Sequence, residues 1–136
     1  MRVRDAVEAD GEALGDLASA PAEVMRNVVH DRTVRVAERE SESDDDSEVV
    51  GFVGFDAMPG TVRVTYLRGS RDARERLLDE PVRFARKEGM SVEVLVPESE
   101  TATADIVESA GFDRVGTGPR FDGGRTVEYR LGPTEA

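Results

Sequence analysis

The chain of 136 residues contains no cysteine and no tryptophan, and only one of its eighteen basic residues, Lys87, is a lysine. The absence of cysteine excludes disulfides, thiolate nucleophiles and cysteine metal sites, although it leaves the cellular compartment open. No apolar run reaches the length of a membrane span, since the longest, Val49 to Phe55, is short and includes glycines. The N-terminus also has no apolar stretch of signal length. We therefore expect a soluble, cytoplasmic protein.

Positive charge is scarce, because 29 Asp and Glu stand against 18 Lys and Arg and give a formal net charge of -11. Like-charge repulsion argues against nucleic acid and against anionic membranes as partners. An acidic surface with arginine in place of lysine is typical of proteins in concentrated salt, where the Debye length shrinks to about 3 Å at about 1 M. We interpret the chain as halophilic; the alternative is an ordinary acidic protein from an arginine-biased genome.

The acidic residues are densest between Glu40 and Glu48, where the sequence ESESDDDSE holds six carboxylates in nine residues. Such a run is too charged to pack, so we predict a solvated hairpin loop. It lacks the glycine and the spaced oxygen ligands of a calcium loop. We therefore predict no metal site.

Apolar spacing predicts an alternation of short strands and helices over a chain that has the length of one domain. The predicted strands are Arg2 to Arg4, Thr33 to Ala37, Val49 to Phe55, Val62 to Leu67, Val92 to Val96, Phe112 to Val115 and Thr126 to Leu131. The predicted helices are Glu8 to Ser19, Ala22 to Val29, Asp72 to Glu88 and a segment from Ala102 to Ala110. Pro81 should kink the third helix or split it near Glu80. A glycine-rich loop, Gly116 to Arg125, joins the last two strands.

A basic turn lies between the fourth strand and the third helix, where Arg68, Arg71, Arg74 and Arg76 fall within nine residues. Cations near a helix N-terminus oppose the helix dipole by a few tenths of a kcal/mol each, roughly, so helix stability does not explain them. A polyphosphate ligand would, because helix N-termini bind anions. The alternative is a solvated ladder of pairs four residues apart, at about 0.3 kcal/mol per pair. Those pairs are Arg71 with Glu75, Asp72 with Arg76, and Arg76 with Glu80.

The element order, this turn and the later Gly111-Phe112 resemble the core of the GNAT superfamily of acyl-CoA-dependent N-acetyltransferases. In that family the turn reads Gln/Arg-x-x-Gly-x-Gly/Ala, and Arg68-Gly-Ser-Arg-Asp-Ala73 stands in its place. Arg71 replaces the first glycine, while Ala73 is accepted at the second. The resemblance implies an α+β fold whose mixed, mostly antiparallel sheet has about seven strands and is splayed between the fourth and fifth. About four helices would pack on both faces in a single domain, 1–136.

The same resemblance implies acetyl-CoA as the co-substrate. Its pyrophosphate would lie against the backbone amides and side chains of the turn. The implied cofactor-binding residues are Leu67, Arg68, Gly69, Ser70, Arg71, Asp72, Ala73 and Arg74.

The catalytic residues of the family are harder to place in this chain. The tyrosine that protonates the leaving CoA thiolate falls on Val107, and the asparagine before it falls on Ser99 or Glu100. Valine cannot transfer a proton, and the missing acid could cost a factor of about 100 in rate. Glu38 and Asp56 stand where family members often keep a carboxylate base, but we interpret both as surface charges. The catalytic residues are therefore left unassigned.

The remaining titratable and aromatic candidates have ordinary structural interpretations. His30, at the end of a predicted helix, is expected to be exposed or in a favourable dipole contact. Tyr66 and Tyr129 are expected to be packing residues with satisfied hydroxyl groups.

By this resemblance the chain transfers an acetyl group to an amine of a small molecule or peptide by direct attack on the thioester. The acceptor would lie near the first two helices and the loop Gly116 to Arg125. Two alternatives stay open: a GNAT-like module that has lost catalysis and binds acyl-CoA or a partner, and an unrelated α+β interaction domain. Family members often pair through their C-terminal strands, so a homodimer is compatible with the resemblance.

Overall fold

The computed structural model describes residues 1–40, 47–120 and 124–133. The strands are Arg2–Asp5 (β1), Thr33–Glu40 (β2), Ser47–Met58 (β3), Thr61–Gly69 (β4), Ser91–Pro97 (β5), Asp113–Thr117 (β6) and Thr126–Leu131 (β7). The helices are Gly11–Ala18 (α1), Ala22–Asp31 (α2), Arg71–Glu88 (α3) and Thr101–Ser109 (α4), with a short 3-10 turn at Glu8–Asp10. All eleven predicted elements are present in the predicted order.

The seven strands form one sheet in the order β1-β2-β3-β4-β5-β7-β6. The β1–β2, β5–β7 and β6–β7 pairs are antiparallel, whereas β4 and β5 are parallel over Thr61–Val64 and Ser91–Val94. The prediction of a mixed, mostly antiparallel sheet with about four helices is confirmed.

The chain divides into two compact units, which are described separately. Unit 1 comprises Met1–Gly54 and Tyr66–Leu77. Helices α1, α2 and α3 and strands β2 and β3 contribute large side chains that are fully buried, and burial of each contributes about 1.5 to 3 kcal/mol. These side chains are Leu14, Met25, Val36, Phe52 and Leu77.

A network of ion pairs joins the first two strands of unit 1 to the 3-10 turn. Arg4 donates two hydrogen bonds to the Asp10 carboxylate, at 2.9 and 2.8 Å, and a third to Glu38. Arg2 also pairs with Glu38, at 3.1 Å, and Asp10 accepts the Val7 N–H at 2.8 Å. The hydrogen bonds from Arg4 hold the pKa values of Asp10 and Glu38 below their usual range, although burial opposes this.

Unit 2 comprises Phe55–Thr65 and Leu78–Ala136. Strand β5 places Val92, Val94 and Val96 on one face, and all three are at most 2% exposed. Its other face carries Ser91, Glu93 and Leu95, of which Glu93 lies directly opposite Arg63 on β4 and Arg130 on β7. The strand is therefore apolar on one face and partly charged on the other.

Helix α3 runs without interruption from Arg71 to Glu88, so of the two effects predicted for Pro81 the split near Glu80 is wrong, and the kink stays a prediction. Pro81 removes one backbone hydrogen bond, but it is buried, and its apolar neighbours Leu78 and Ala85 are at most 3% exposed. Apolar burial on this face of the helix therefore offsets the lost hydrogen bond. At the C-terminus the Met90 N–H donates to the Ala85 carbonyl at 2.9 Å, which closes the last turn.

Two predicted loops lie partly outside the described residues. In the acidic run, Glu40 belongs to β2 and Ser47 and Glu48 belong to β3, so the flanking strands are longer than predicted. Residues 41–46 of that run lie outside the described part. In the glycine-rich loop, Gly116 and Thr117 extend β6, and residues 121–123 lie outside the described part.

Candidate functional site

The turn between β4 and α3 depends on Gly69. Its φ of +122° is a backbone conformation that side chains disfavour, and a Cβ there would collide with the Val50 carbonyl oxygen and the Gly51 Cα. Ser70, which follows, donates its N–H to the same Val50 carbonyl at 3.0 Å. The start of α3 is thereby fixed against β3.

Ser70 and Asp72 together cap the N-terminus of α3. The Ala73 N–H donates to Ser70 Oγ at 3.3 Å and to Asp72 Oδ1 at 3.1 Å, and Ser70 Oγ donates to Asp72 Oδ1 at 2.6 Å. The Arg74 N–H bonds the Ser70 carbonyl at 2.9 Å, which is the first helical bond. One of the first-turn amides is therefore already occupied by a carboxylate of the protein itself.

The Asp72 carboxylate also forms an ion pair with an arginine that the sequence did not suggest. Arg39, near the end of β2, places its Nη2 2.9 Å from Asp72 Oδ2. The pKa of Asp72 is lowered, first by the Ser70 hydrogen bond and then by the positive charge of Arg39. Because the two residues lie far apart in sequence, only the register of β2 brings Arg39 to this turn.

The four arginines of the turn lie in different surroundings. The Arg68 guanidinium lies over the Tyr66 ring, 5.8 Å from its centroid. Arg71 is exposed and pairs with Glu75 at 3.2 Å, as the ladder interpretation predicts. Arg74 and Arg76 are half-buried and have contacts of their own. The phosphate-binding role of Leu67 to Arg74 stays a prediction.

Of the positions that correspond to the family's tyrosine and asparagine, Val107 and Ser99 carry no acidic or basic group, whereas Glu100 carries a carboxylate. Val107 is completely buried, Ser99 is exposed, and Glu100 precedes the first residue of α4. Glu38 is only 4% exposed, so its interpretation as a surface charge is wrong. Because Arg2 and Arg4 hold it as an anion with a lowered pKa, it is poorly suited to accept a proton. Asp56 is exposed as predicted, although it lies within β3 and not after it.

The single histidine and the two tyrosines match their structural interpretations. His30 is exposed near the end of α2 and its Nε2 pairs with Glu8. Tyr66 is 7% exposed and packs on Phe52, with ring centroids 5.6 Å apart. Tyr129 is 3% exposed.

A cavity of about 390 Å³ in unit 2 lies between α4, the end of β5 and the pair β6–β7. Tyr129 forms part of its wall, as does Thr117 from the loop that was expected to contact the acceptor. Burial raises the pKa of Tyr129, and the negative charges of Glu108 and Asp105 raise it further. No sequence signal pointed to this cavity, because its wall combines residues from four separate elements.

Two carboxylates of unit 2 interact with each other. Glu93 on β5 raises the pKa of Glu128 on β7, because a protonated Glu128 can donate a hydrogen bond to Glu93, and burial raises this pKa further. Arg63 binds Glu93 through its Nε at 3.0 Å and its Nη2 at 2.9 Å, while Arg130 lies opposite Glu93 in the register. The one sequence signal was Glu93 itself, the only charge in an otherwise apolar strand.

The part of the chain that the structure describes contains no group of His, Asp and Glu residues that could hold a metal ion. Among the same residues, no helix is long and apolar enough to cross a membrane.

Comparison with known proteins gives matches among solved structures, whereas no family model and no curated protein sequence matches the chain. Ard1 from Thermoplasma volcanium superposes with a TM-score of 0.75 at 14% identity, covering 98% of both chains. A ribosomal-protein-alanine N-acetyltransferase from Brucella melitensis gives a TM-score of 0.71 at 18% identity, covering 96% of this chain and 98% of that one. PaiA N-acetyltransferase from Thermoplasma acidophilum, in complex with coenzyme A, gives 0.70 at 14% identity, covering 98% of both.

Another structure of this kind is described as an acetyltransferase of the GNAT family, from Desulfovibrio desulfuricans, with a TM-score of 0.71. The chain therefore has the GNAT fold over nearly its whole length, and the fold resemblance seen in the sequence is confirmed.

Proposed function

We propose that this chain is an acyl-CoA-dependent N-acetyltransferase that uses acetyl-CoA and acetylates an amine. The observation that carries the proposal is the agreement of the fold with acetyltransferase structures over at least 96% of this chain, one of them in complex with coenzyme A. Fold alone does not define an activity. The residues of the α3 turn supply the additional chemical argument.

The turn offers groups that suit a diphosphate. The first amides of a helix have no helical partners, and the helix dipole adds partial positive charge there. Arg68, Arg71 and Arg74 add guanidinium groups, and Arg39 brings another to Asp72, 2.9 Å away. A diphosphate bound here would displace the Asp72 carboxylate from the Ala73 amide. Arg39 would then be released from Asp72 and could pair with a phosphate oxygen.

The reaction we propose is direct transfer. The neutral amine of the acceptor attacks the thioester carbonyl carbon, the C–S bond breaks, and the CoA thiolate leaves. The amine loses one proton and the thiolate gains one. With Val107 completely buried at the usual tyrosine position, we propose that water protonates the thiolate. The chain's own contribution is then to bind and orient the two substrates.

The first test is thermal melting of the protein in multimolar KCl with and without acetyl-CoA. Ligand at about 100 times its Kd should add about 2.7 kcal/mol to the free energy of unfolding. Arg68→Glu and Arg71→Glu should abolish most of this shift. The matched control is Arg86→Glu, which reverses an exposed charge in the last turn of the same helix and should leave the shift intact.

The outcomes distinguish a wrong function from a wrongly placed binding site. Absence of any shift with acetyl-CoA or CoA would refute the proposal. A shift that survives both turn substitutions would place the diphosphate elsewhere. Arg71→Glu should alter the melting temperature of the ligand-free protein only slightly, because Arg71 is exposed. Arg68→Glu should lower it more, because the contact of the Arg68 guanidinium with the Tyr66 ring is lost.

A second candidate function is acyl-CoA binding without catalysis. The completely buried Val107 favours it, because the side chain that should donate a proton is missing. The two candidates differ in turnover. An acetyltransferase releases free CoA thiol when acetyl-CoA is mixed with a panel of diamines, amino acids and peptides, whereas a binding module gives the melting shift and no thiol.

We further propose that residues 1–136 act as a single acyltransferase domain in a salt-rich cytoplasm, and that the acceptor is a small-molecule or peptide amine. Homodimer formation through the C-terminal strands belongs to the same proposal. Sedimentation in multimolar KCl measures the oligomeric state directly.

A further inference from the structure

A row of charged side chains with alternating sign crosses four neighbouring strands of unit 2. Arg63 on β4 lies opposite Glu93 on β5, and Glu93 lies opposite Arg130 on β7. Arg130 in turn lies opposite Asp113 on β6. Residues that lie opposite one another in a sheet point to the same side, so all four side chains share one face. With neighbouring strands about 4.8 Å apart, the row is about 14 Å long.

Half of this row is exposed to solvent. Arg130 and Asp113 are exposed, whereas the side chains of Arg63 and Glu93 are 32% and 13% exposed. The Arg63 guanidinium is held by Glu93, at 3.0 Å from Nε and 2.9 Å from Nη2. Arg130 directs its Nη2 to the neutral Ser91 hydroxyl, at 3.3 Å. The exposed charges of Arg130 and Asp113 are therefore accessible to a partner.

The same face carries more negative than positive charge. Glu128 follows two positions before Arg130 on β7, so it points to the same side as Arg130. The neighbouring Glu93 raises the pKa of Glu128, and the charges of Arg63 and Arg130 only partly oppose this. A further guanidinium group close to Glu93 would therefore be favourable.

The order of the charges makes the row complementary to a copy of itself. A two-fold axis that runs parallel to the strands, between β5 and β7, brings a second copy face to face with the row in reverse order. Arg63 then lies opposite Asp113 of the second copy, and Glu93 lies opposite Arg130 of the second copy. An axis along the row would instead place each side chain opposite itself, like charge against like charge, so the charges select one orientation. Packed sheets lie about 10 Å apart, which these side chains can span.

We propose that this face of unit 2 is the contact surface between two copies of the chain, with the two-fold axis parallel to β5 and β7. Each of the two ion pairs between the copies forms twice, because the contact is symmetric. The inference rests on the homodimer of the proposed function, whose contact it assigns to a face of the sheet and not to the edge strand. It does not depend on acetyl transfer.

The experiment is sedimentation velocity over a range of protein concentrations, at the lowest KCl concentration at which circular dichroism confirms the fold. Asp113→Arg should raise the Kd of the dimer about tenfold or more, because the introduced charge meets Arg63 of the other copy at two symmetric contacts. The matched control is Asp79→Arg, which makes the same charge change at an exposed residue of α3 and should not weaken the dimer. Both substitutions lower the net negative charge, so general repulsion between acidic chains predicts tighter association for both.

A charge exchange between copies tests the pairing directly. Arg63→Asp should also impair self-association, but an equimolar mixture with the Asp113→Arg protein should form a heterodimer, because the exchanged charges face each other. If Arg63→Asp unfolds beside Glu93, the exposed Arg130→Glu takes its place as a second variant that should weaken the dimer, with Arg86→Glu as its control.

Three results would overturn the proposal: a wild-type protein that stays monomeric, a dimer that Asp113→Arg and Arg130→Glu leave intact, or a mixture of folded exchange variants that stays monomeric. The melting shift with acetyl-CoA should be the same in the wild-type and Asp113→Arg proteins. Its absence from both would count against the proposed activity and not against the contact surface.

Discussion

Four carboxylates have a pKa that departs from its ordinary value, and the direction differs between the two units. In unit 1 the pKa values of Asp10, Glu38 and Asp72 are all lowered. In unit 2 the pKa of Glu128 is raised, and that of the Tyr129 hydroxyl is raised as well. Both units have more acidic than basic residues, but they place these carboxylates in different surroundings.

The positions of the arginines account for the difference. In unit 1, Arg4 bonds to both Asp10 and Glu38, and Arg39 bonds to Asp72. In unit 2, Arg63 bonds to Glu93, and its charge only partly offsets the effect of Glu93 on Glu128. Arginine therefore neutralises these carboxylates of unit 1, whereas in unit 2 it only partly offsets the repulsion between Glu93 and Glu128.

The largest effect expected in this comparison is that of Gly69→Ala, which would disrupt the basic turn of unit 1. The φ of +122° and the collision with Val50 and Gly51 should together lower the free energy of unfolding by about 3 kcal/mol or more. Gly60→Ala is the matched control, since Gly60 also has a positive φ, +74°, but nothing lies within 4 Å of its added Cβ. That control should cost only about 1 kcal/mol.

Urea denaturation measures both free energies. Similar losses in the two variants would mean that Gly69 is required for its dihedral angle alone and that the close approach of β3 to the turn is unimportant.

The next effect is that of Glu38→Gln, which removes the charge that pairs with Arg2 and one of the two carboxylates that pair with Arg4. Loss of one member of this partly buried network should cost about 2 kcal/mol at neutral pH. Because the folded pKa of Glu38 is lowered, its contribution is present above the unfolded pKa and is lost as the pH falls through the folded value. The difference in free energy of unfolding between Glu38→Gln and the wild-type protein should therefore decrease as the pH falls.

Glu40→Gln is the control, because Glu40 is exposed and lies two residues further along the same strand. It should change stability by less than about 0.5 kcal/mol at every pH. A pH-independent loss in Glu38→Gln would indicate a packing defect and not a lost charge.

The smallest effect has the opposite sign. Glu128→Gln removes one of two neighbouring carboxylates and should stabilise the protein by about 0.5 kcal/mol at neutral pH. The folded pKa of Glu128 is raised, so its contribution is present below its ordinary value of 4.5 and is lost as the pH rises through the folded value. The gain should therefore vanish in acid and grow with pH, and urea denaturation at several pH values measures it. Destabilisation at neutral pH would show that Arg63 and Arg130 already neutralise the pair.

The order of the elements could be predicted from the sequence because each carries local information. Apolar alternation marks β4, helical spacing marks α1 and α3, and Pro59-Gly60 marks the turn before β4. The split at Pro81 was predicted wrongly for the same reason. A local rule penalises the missing hydrogen bond, whereas the burial of this helix face depends on residues distant in sequence.

The site was less predictable because ion pairs depend on strand register. Nothing local indicates that Glu38 is buried beneath two arginines, or that Arg39 reaches Asp72 across 33 positions of sequence. The arginine cluster at the turn could be recognised in the sequence. The capping of α3 by Ser70 and Asp72 could not, because it depends on the backbone geometry of the turn. The pairing of Glu93 with a residue on a neighbouring strand could have been predicted, since a single charge in an apolar strand is stable only with a partner.

For the diphosphate that we propose, the carboxylate of Asp72 would act as a tethered competitor at the N-terminus of α3. Because it is attached to the helix that it caps, its local concentration is fixed and does not fall when the solution is diluted. A chloride ion that displaced this carboxylate would replace one negative charge with another, so its net binding free energy would be small. A ligand with several linked oxygens would gain from the amide and from Arg39 together, so this arrangement would favour the diphosphate that we propose over a simple anion.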